Sequence, residues 1–156
     1  MKLTQAQFDF FSCVFFILVG HEEEPRLEAL SPSPTHRRRS ATGQCLHVYL
    51  ARDQMKVETR LRGAKFSHYR FAIDIWEPFY AFAYFENAKP LREYRYTLLA
   101  GEEQVTQRGP ALPFESAALK HITSDYGYDA FYYPLSVLLF FGFTWPSLKQ
   151  LAGAER

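Results

Sequence analysis

Met55-Lys56-Val57-Glu58-Thr59-Arg60-Leu61-Arg62 is the stretch on which the reading of the fold turns. Taken with a period of two, Met55, Val57 and Leu61 share one side of a pleated strand. Lys56, Glu58, Arg60 and Arg62 share the other. Working outward, Phe66 to Trp76 repeats the alternation, with Tyr69, Phe71, Ile73 and Ile75 opposite His68, Arg70 and Asp74. Upstream, Leu46, Val48 and Leu50 alternate with His47 and Tyr49, and Arg52-Asp53-Gln54 supplies a turn. Gly63-Ala64 makes a tight link to the next strand. Glu77-Pro78 breaks the run, since proline has no amide for a ladder and restricts the residue before it.

Phe79 to Phe85 reads as a fourth strand with rings on both faces, so something must cover its second face. Asn87-Ala88-Lys89-Pro90 turns into a strand from Glu93 to Leu98, and a sixth runs from Gln104 to Arg108. The expectation is an antiparallel meander over residues 44 to 108, one face buried and one partly wet.

The flanks differ. Thr4-Gln5-Ala6-Gln7 fits a capping box, which predicts a helix from about Gln5 to Val19 stopped by Gly20. Its phenylalanines point nearly all round, as in a helix inside a core. Val, Ile and Phe also suit a strand, which is the local alternative. Asp9 and the unsuitable cleavage region Gly20-His21-Glu22-Glu23 argue against a signal peptide. Residues 20 to 43 hold acidic Glu22-Glu23-Glu24-Pro25, Ser31-Pro32-Ser33-Pro34 and basic Arg37-Arg38-Arg39, a composition that predicts a long flexible loop. Beyond Gly109-Pro110, Phe114, Ala118 and Ile122 fall at helical spacing in a helix over 113 to 122. The apolar run Ala130 to Trp145 predicts a core helix over Pro134 to Phe141, and Pro146 to Leu151 a short terminal helix.

The 156 residues fit one domain with its own core. Aromatics reach 17%, with 15 Phe and 10 Tyr, which points to a core of large flat side chains. A formal charge of +1 gives no global field for nucleic acid or an anionic membrane, so nucleic acid is not favoured. The runs 8 to 19 and 130 to 145 are short for a bilayer span, and a membrane is a lesser alternative. Cys13 and Cys45 lack metal-ligand spacing and read as buried free thiols of a reducing, cytoplasmic setting.

Sequence motifs for chemistry are sparse. His21, His36, His47, His68 and His121 are scattered, and neither a metal nor another cofactor is expected. His47 and His68 are expected on outward strand positions, and His21 beside Glu22 to Glu24 would hold a cation only loosely. Facing H-x-T/S tripeptides would suit acid–base work beside a phosphate. Only His121-Ile122-Thr123 has the hydroxyl; His47-Val48-Tyr49 and His68-Tyr69-Arg70 do not. No nucleophile elbow or phosphate loop occurs. In Tyr69-Arg70-Phe71 and Tyr94-Arg95-Tyr96, the alternation sends cations and rings to opposite faces, unlike a base-stacking platform.

These observations predict an α+β fold: a curved antiparallel sheet of five or six strands packed by an N-terminal helix and C-terminal helices. The functional expectation is a non-enzymatic module that binds another protein. Small inhibitors and toxin-neutralising immunity proteins share its size and composition. Its contact residues would be Arg37, Arg38 and Arg39 in the loop, and Lys56, Glu58, Arg60 and Arg62 on the strand. A small hydrolytic enzyme with a site near His121 is the alternative.

Overall fold

The computed structural model describes residues 13–74, 79–116, 133–144, 146 and 150. Those residues form one open, fully antiparallel sheet of seven strands flanked by short helices, α+β in broad terms. In chain order the strands are β1 (Cys13–Gly20), β2 (His36–Arg39), β3 (Gln44–Leu50), β4 (His68–Asp74), β5 (Phe79–Glu86), β6 (Lys89–Leu99) and β7 (Glu102–Arg108). Across the sheet they run β2-β3-β1-β4-β5-β6-β7. The meander therefore holds from β4 onward, whereas β1 is inserted between β3 and β4.

The described part of the expected N-terminal helix, Cys13 to Val19, belongs to the strand β1. As an interior strand it is buried on both faces, which a continuous apolar run satisfies without alternation. Val14, Phe16 and Leu18 enter one core, and Phe15, Ile17 and Val19 enter the other. Both faces are closed to solvent, with Phe16, Ile17 and Leu18 fully buried. Residues 5 to 12 of that predicted helix lie outside the described residues.

The stretch read as the cleanest strand is helical. Helix α2 (Gln54–Arg60) buries Val57 and, just past its end, Leu61. A spacing of four satisfies both the strand and the helix period, and Met55, which a strand would turn inward, is 80% exposed. Gln54 Nε2 donates to Glu58 Oε1 at 3.0 Å across one turn, and the Thr59 hydroxyl donates to the Met55 carbonyl at 2.8 Å. Residues 20 to 43 are more than a loop. Helix α1 (Glu24–Leu30) starts with Pro25 in its first turn, and β2 follows at the sheet edge.

Helices α1 and α2 cover one face of the β3-β1-β4 region through Leu27, Val57 and Leu61. The other face lies under Phe114 and helix α3 (Tyr133–Phe140), whose Val137 and Leu138 are buried. This covers Tyr80 and Phe82 on one face of β5, whereas Phe79 and Phe85 on its second face are only half-buried, short of the cover expected there. Phe114 sits with ring centroids 5.3 Å from Phe82, 5.8 Å from Tyr69 and 5.6 Å from Phe141. A helical turn covers 113–116, while Ala118, His121, Ile122 and most of the predicted terminal helix lie outside the described residues. Among the described residues, no helix is long and apolar enough to cross a membrane. Cys13 is exposed and Cys45 buried, and both are free. Cys13 pairs with Asp74 and Cys45 with Val19, at opposite ends of β1. The expectation of two buried thiols thus fails at Cys13.

Two-residue loops join β5 to β6 and β6 to β7. Asn87 and Ala88 have φ of 51° and 67°, and Ala100 and Gly101 have 52° and 80°. These left-handed pairs match the twist of the flanking strands, but alanine carries a steric penalty there. Ala88→Gly removes that penalty and is expected to raise stability by up to about 1 kcal/mol, net of the entropy cost of glycine. A thermal melt checks it: the midpoint rises, and a lowered midpoint contradicts the turn geometry.

Candidate functional site

The helices leave half of one sheet face open. Along β4, His68, Arg70 and Ala72 point toward that face. Phe79, Ala81, Ala83 and Phe85 do so from β5, followed by Glu93 and Arg95 from β6 and Thr106 and Arg108 from β7. This follows from the antiparallel register, which sets Arg70 opposite Ala83, Ala83 opposite Glu93, and Glu93 opposite Arg108. Gln54 and Glu58 of α2 form the near wall of the resulting groove, which encloses about 540 Å³. Its floor is made of small side chains, Ala72, Ala81 and Ala83, and its ends are rings, Phe79 and Phe85.

Each ring carries a guanidinium. Arg70 Cζ lies 3.9 Å from the centroid of Phe85, and Arg95 Cζ 4.7 Å from that of Phe79. Arg70 is further pinned by its Nε, which donates to His68 Nε2 at 3.0 Å. His68 in turn donates Nδ1–H to the Phe66 carbonyl at 3.1 Å and stacks on Phe85 with centroids 5.1 Å apart and planes 5° from parallel. That pair of bonds defines the neutral tautomer, with the proton on Nδ1. Burial drives the His68 pKa down to about 4, with the Arg70 charge acting the same way against the Phe66 hydrogen bond. Burial also lowers the Arg70 pKa, while the Glu58 charge raises it. The guanidinium is thus a fixed cation in a partly dry wall, and Nε is its one nitrogen hydrogen-bonded to a described residue.

A second cluster lies at the opposite edge of the sheet. Glu24 of α1 is buried against His47 of β3, whose Nε2 donates to Glu24 Oε2 at 2.7 Å. Arg37 approaches Glu24 Oε1 at 3.0 Å and Glu28 Oε1 at 3.0 Å, and Arg39 approaches Glu24 at 3.5 Å. The Glu24 pKa is lowered: burial, the largest influence, raises it, but the His47 and Arg37 hydrogen bonds and charges outweigh that. Glu24, Glu28 and His47 have the donor types of a cation site. The Arg37 guanidinium already stands between the two carboxylates, so the cluster works as an ionic pin holding α1 on β2 and β3.

The sequence candidates divide between these places. Arg37 and Arg39 belong to the pin, and Arg38 donates to the Arg37 carbonyl at 2.8 Å. Lys56 and Arg60 face solvent on α2, four residues apart, and Arg62 beyond the helix is also exposed. Glu58 alone of the seven lines the main groove. His47 and His68, expected to point outward, are each 1% exposed, because α1 covers the first and Phe66 and Phe85 enclose the second. The rings and cations of Tyr69-Arg70-Phe71 do face opposite ways. However, Arg70 meets Phe85 from the neighbouring strand, and Arg95 meets Phe79. Only cross-strand register reveals those pairs.

The chain matches no family model, no curated protein and no solved structure among those compared. The geometry of the groove therefore carries the functional argument.

Proposed function

We propose that the chain is a protein-binding module whose contact surface is the groove over β4 to β7, and that it takes an acidic side chain set beside an apolar one. The observation that carries this reading is Arg70, held by His68 and Phe85 at the groove wall with its terminal nitrogens hydrogen-bonded to none of the described residues. A carboxylate accepts two parallel bonds from a guanidinium, and a pre-positioned arginine loses little rotamer freedom on binding. The alanine floor leaves room for the neighbouring apolar side chain. Three arginines against two glutamates line the groove, a local balance that favours an anionic segment.

Selection from a displayed library of random heptapeptides tests the proposal. The wild-type protein is expected to enrich Asp or Glu next to an aromatic or aliphatic residue. Arg70→Gln, folded by its circular dichroism, is expected to weaken the selected peptide by about tenfold or more, the scale of a charged hydrogen bond. No enrichment, or a peptide that binds Arg70→Gln as well as wild type, overturns it.

A further inference from the structure

The outer edge of β7 is a second surface with recognisable chemistry. All seven residues from Glu102 to Arg108 are exposed, and among the described residues no strand pairs with that side. The opposite edge, β2, has only four residues and is held by the Glu24 pin. A long free edge presents unpaired amides and carbonyls, which natural sheets usually shield with charge. Here the charges are arranged so that they attract when the strand meets itself.

We propose that two copies of the chain pair β7 to β7, antiparallel, about a two-fold axis at Val105. In the register that aligns all seven residues, Glu102 faces Arg108 of the second copy, Glu103 faces Gln107, Gln104 faces Thr106, and Val105 faces Val105. No like charges oppose one another, and two Glu102–Arg108 pairs flank the centre. Val105, 49% exposed, meets its own copy there. A slip of two residues either way loses both ion pairs. A slip of one sets the two faces of the sheet against each other. The self-complementary order of this strand therefore specifies one isologous contact.

The pairing extends seven strands into fourteen. It also bears on the groove, because Thr106 and Arg108 line it and the second copy brings Glu102 and Gln104 to its outer wall. The dimer does not depend on the groove binding anything, so the two proposals fail separately. A contact of seven strand residues is smaller than a standard interface, so dissociation in the micromolar range or weaker is expected.

Sedimentation equilibrium from about 10 µM to about 1 mM spans that regime. Wild type is expected to show a concentration-dependent monomer–dimer equilibrium. Arg108→Glu sets glutamate against Glu102 at both ends and should weaken the dimer about tenfold or more. The swap Glu102→Arg with Arg108→Glu restores the attraction and should recover wild-type association. Both positions are exposed, and Arg108 approaches Glu93 only at 4.0 Å, so the fold is expected to survive the changes. A monomer throughout the range, a dimer indifferent to Arg108→Glu, or a swap that fails to rescue association overturns the proposal.

Discussion

Replacing Glu115 with alanine is expected to cost about 3–5 kcal/mol, because it leaves a buried guanidinium without its counter-ion. Arg92 is 3% exposed. Its Nε donates to Glu115 Oε2 at 3.0 Å and a terminal nitrogen to Glu115 Oε1 at 2.6 Å, a two-pronged pair. The same guanidinium donates to the Gly109 carbonyl at 2.8 Å and to Gln107 Oε1 at 2.9 Å, while Glu115 also accepts the Leu112 amide. Together these bonds fasten the segment after β7 to β6. Phe114, which caps the ring cluster of β4 and β5, rides on that segment. Gly109 allows the close approach, since a Cβ there would collide with the Leu91 carbonyl oxygen. A loss of this size is a large share of the usual 5–15 kcal/mol of domain stability. Urea unfolding checks it, with a lowered midpoint and an unchanged slope. The double change Arg92→Met with Glu115→Leu removes both charges and should be the milder variant. A single-variant loss below about 1 kcal/mol would contradict the clamp.

Acidification is expected to produce the second large effect, with His68 acting first. Its folded pKa of about 4 lies below its ordinary 6.5, so between those values the unfolded chain takes up a proton that the folded chain refuses. The stabilisation is complete above about pH 6.5 and is lost as pH falls toward about 4. The depression corresponds to about 2–3 kcal/mol between pH 7 and pH 4.5. Glu24 continues the trend at lower pH. Its carboxyl is held below the ordinary 4.5, so its contribution is present above that value and disappears as pH falls through the folded pKa. Protonating His68 also removes the acceptor for Arg70 Nε. Unfolding free energies across this range should therefore decline first by the His68 amount. His68→Gln, which cannot titrate, should flatten the decline between pH 6.5 and 4.5. A variant that keeps the wild-type slope would place the titration elsewhere.

The hairpins from β5 to β7 were readable in the sequence because ring alternation and turn residues agree there. Asn87 and Gly101 accept left-handed backbone, and the rings of Phe79 to Phe85 alternate between the face closed by Phe114 and α3 and the open groove face. The misreadings have local causes. Val57 and Leu61 fit two periods, and polar Thr59 at the intervening inward position was the sign that a strand would not bury that side. Cys13 to Gly20 lacks any period because both faces of β1 are covered, which leaves length and β-branched content as the remaining guides. In residues 20 to 43, charge and proline concealed a helix that Pro25 in fact starts. The groove was the least legible feature. Arg70 and Phe85 come together only once β4 is laid beside β5 in a specific register, and the bulge at Tyr84 and Phe85 shifts the next register, from β5 to β6.

Nuclear magnetic resonance of the Arg70 side chain is the most direct measurement of its role as receptor. The Nε–H bonded to His68 provides a defined probe, titrated with the library-selected acidic peptide and with the same peptide carrying Gln or Asn in place of its acidic residue. The account predicts that the acidic peptide shifts the Arg70 Nε–H signal together with the amides of Ala81, Ala83 and Phe85, and that the neutral peptide does not. Shifts confined to Arg37, Arg38 and Arg39 on β2, or to Lys56 and Arg60 on α2, would contradict it.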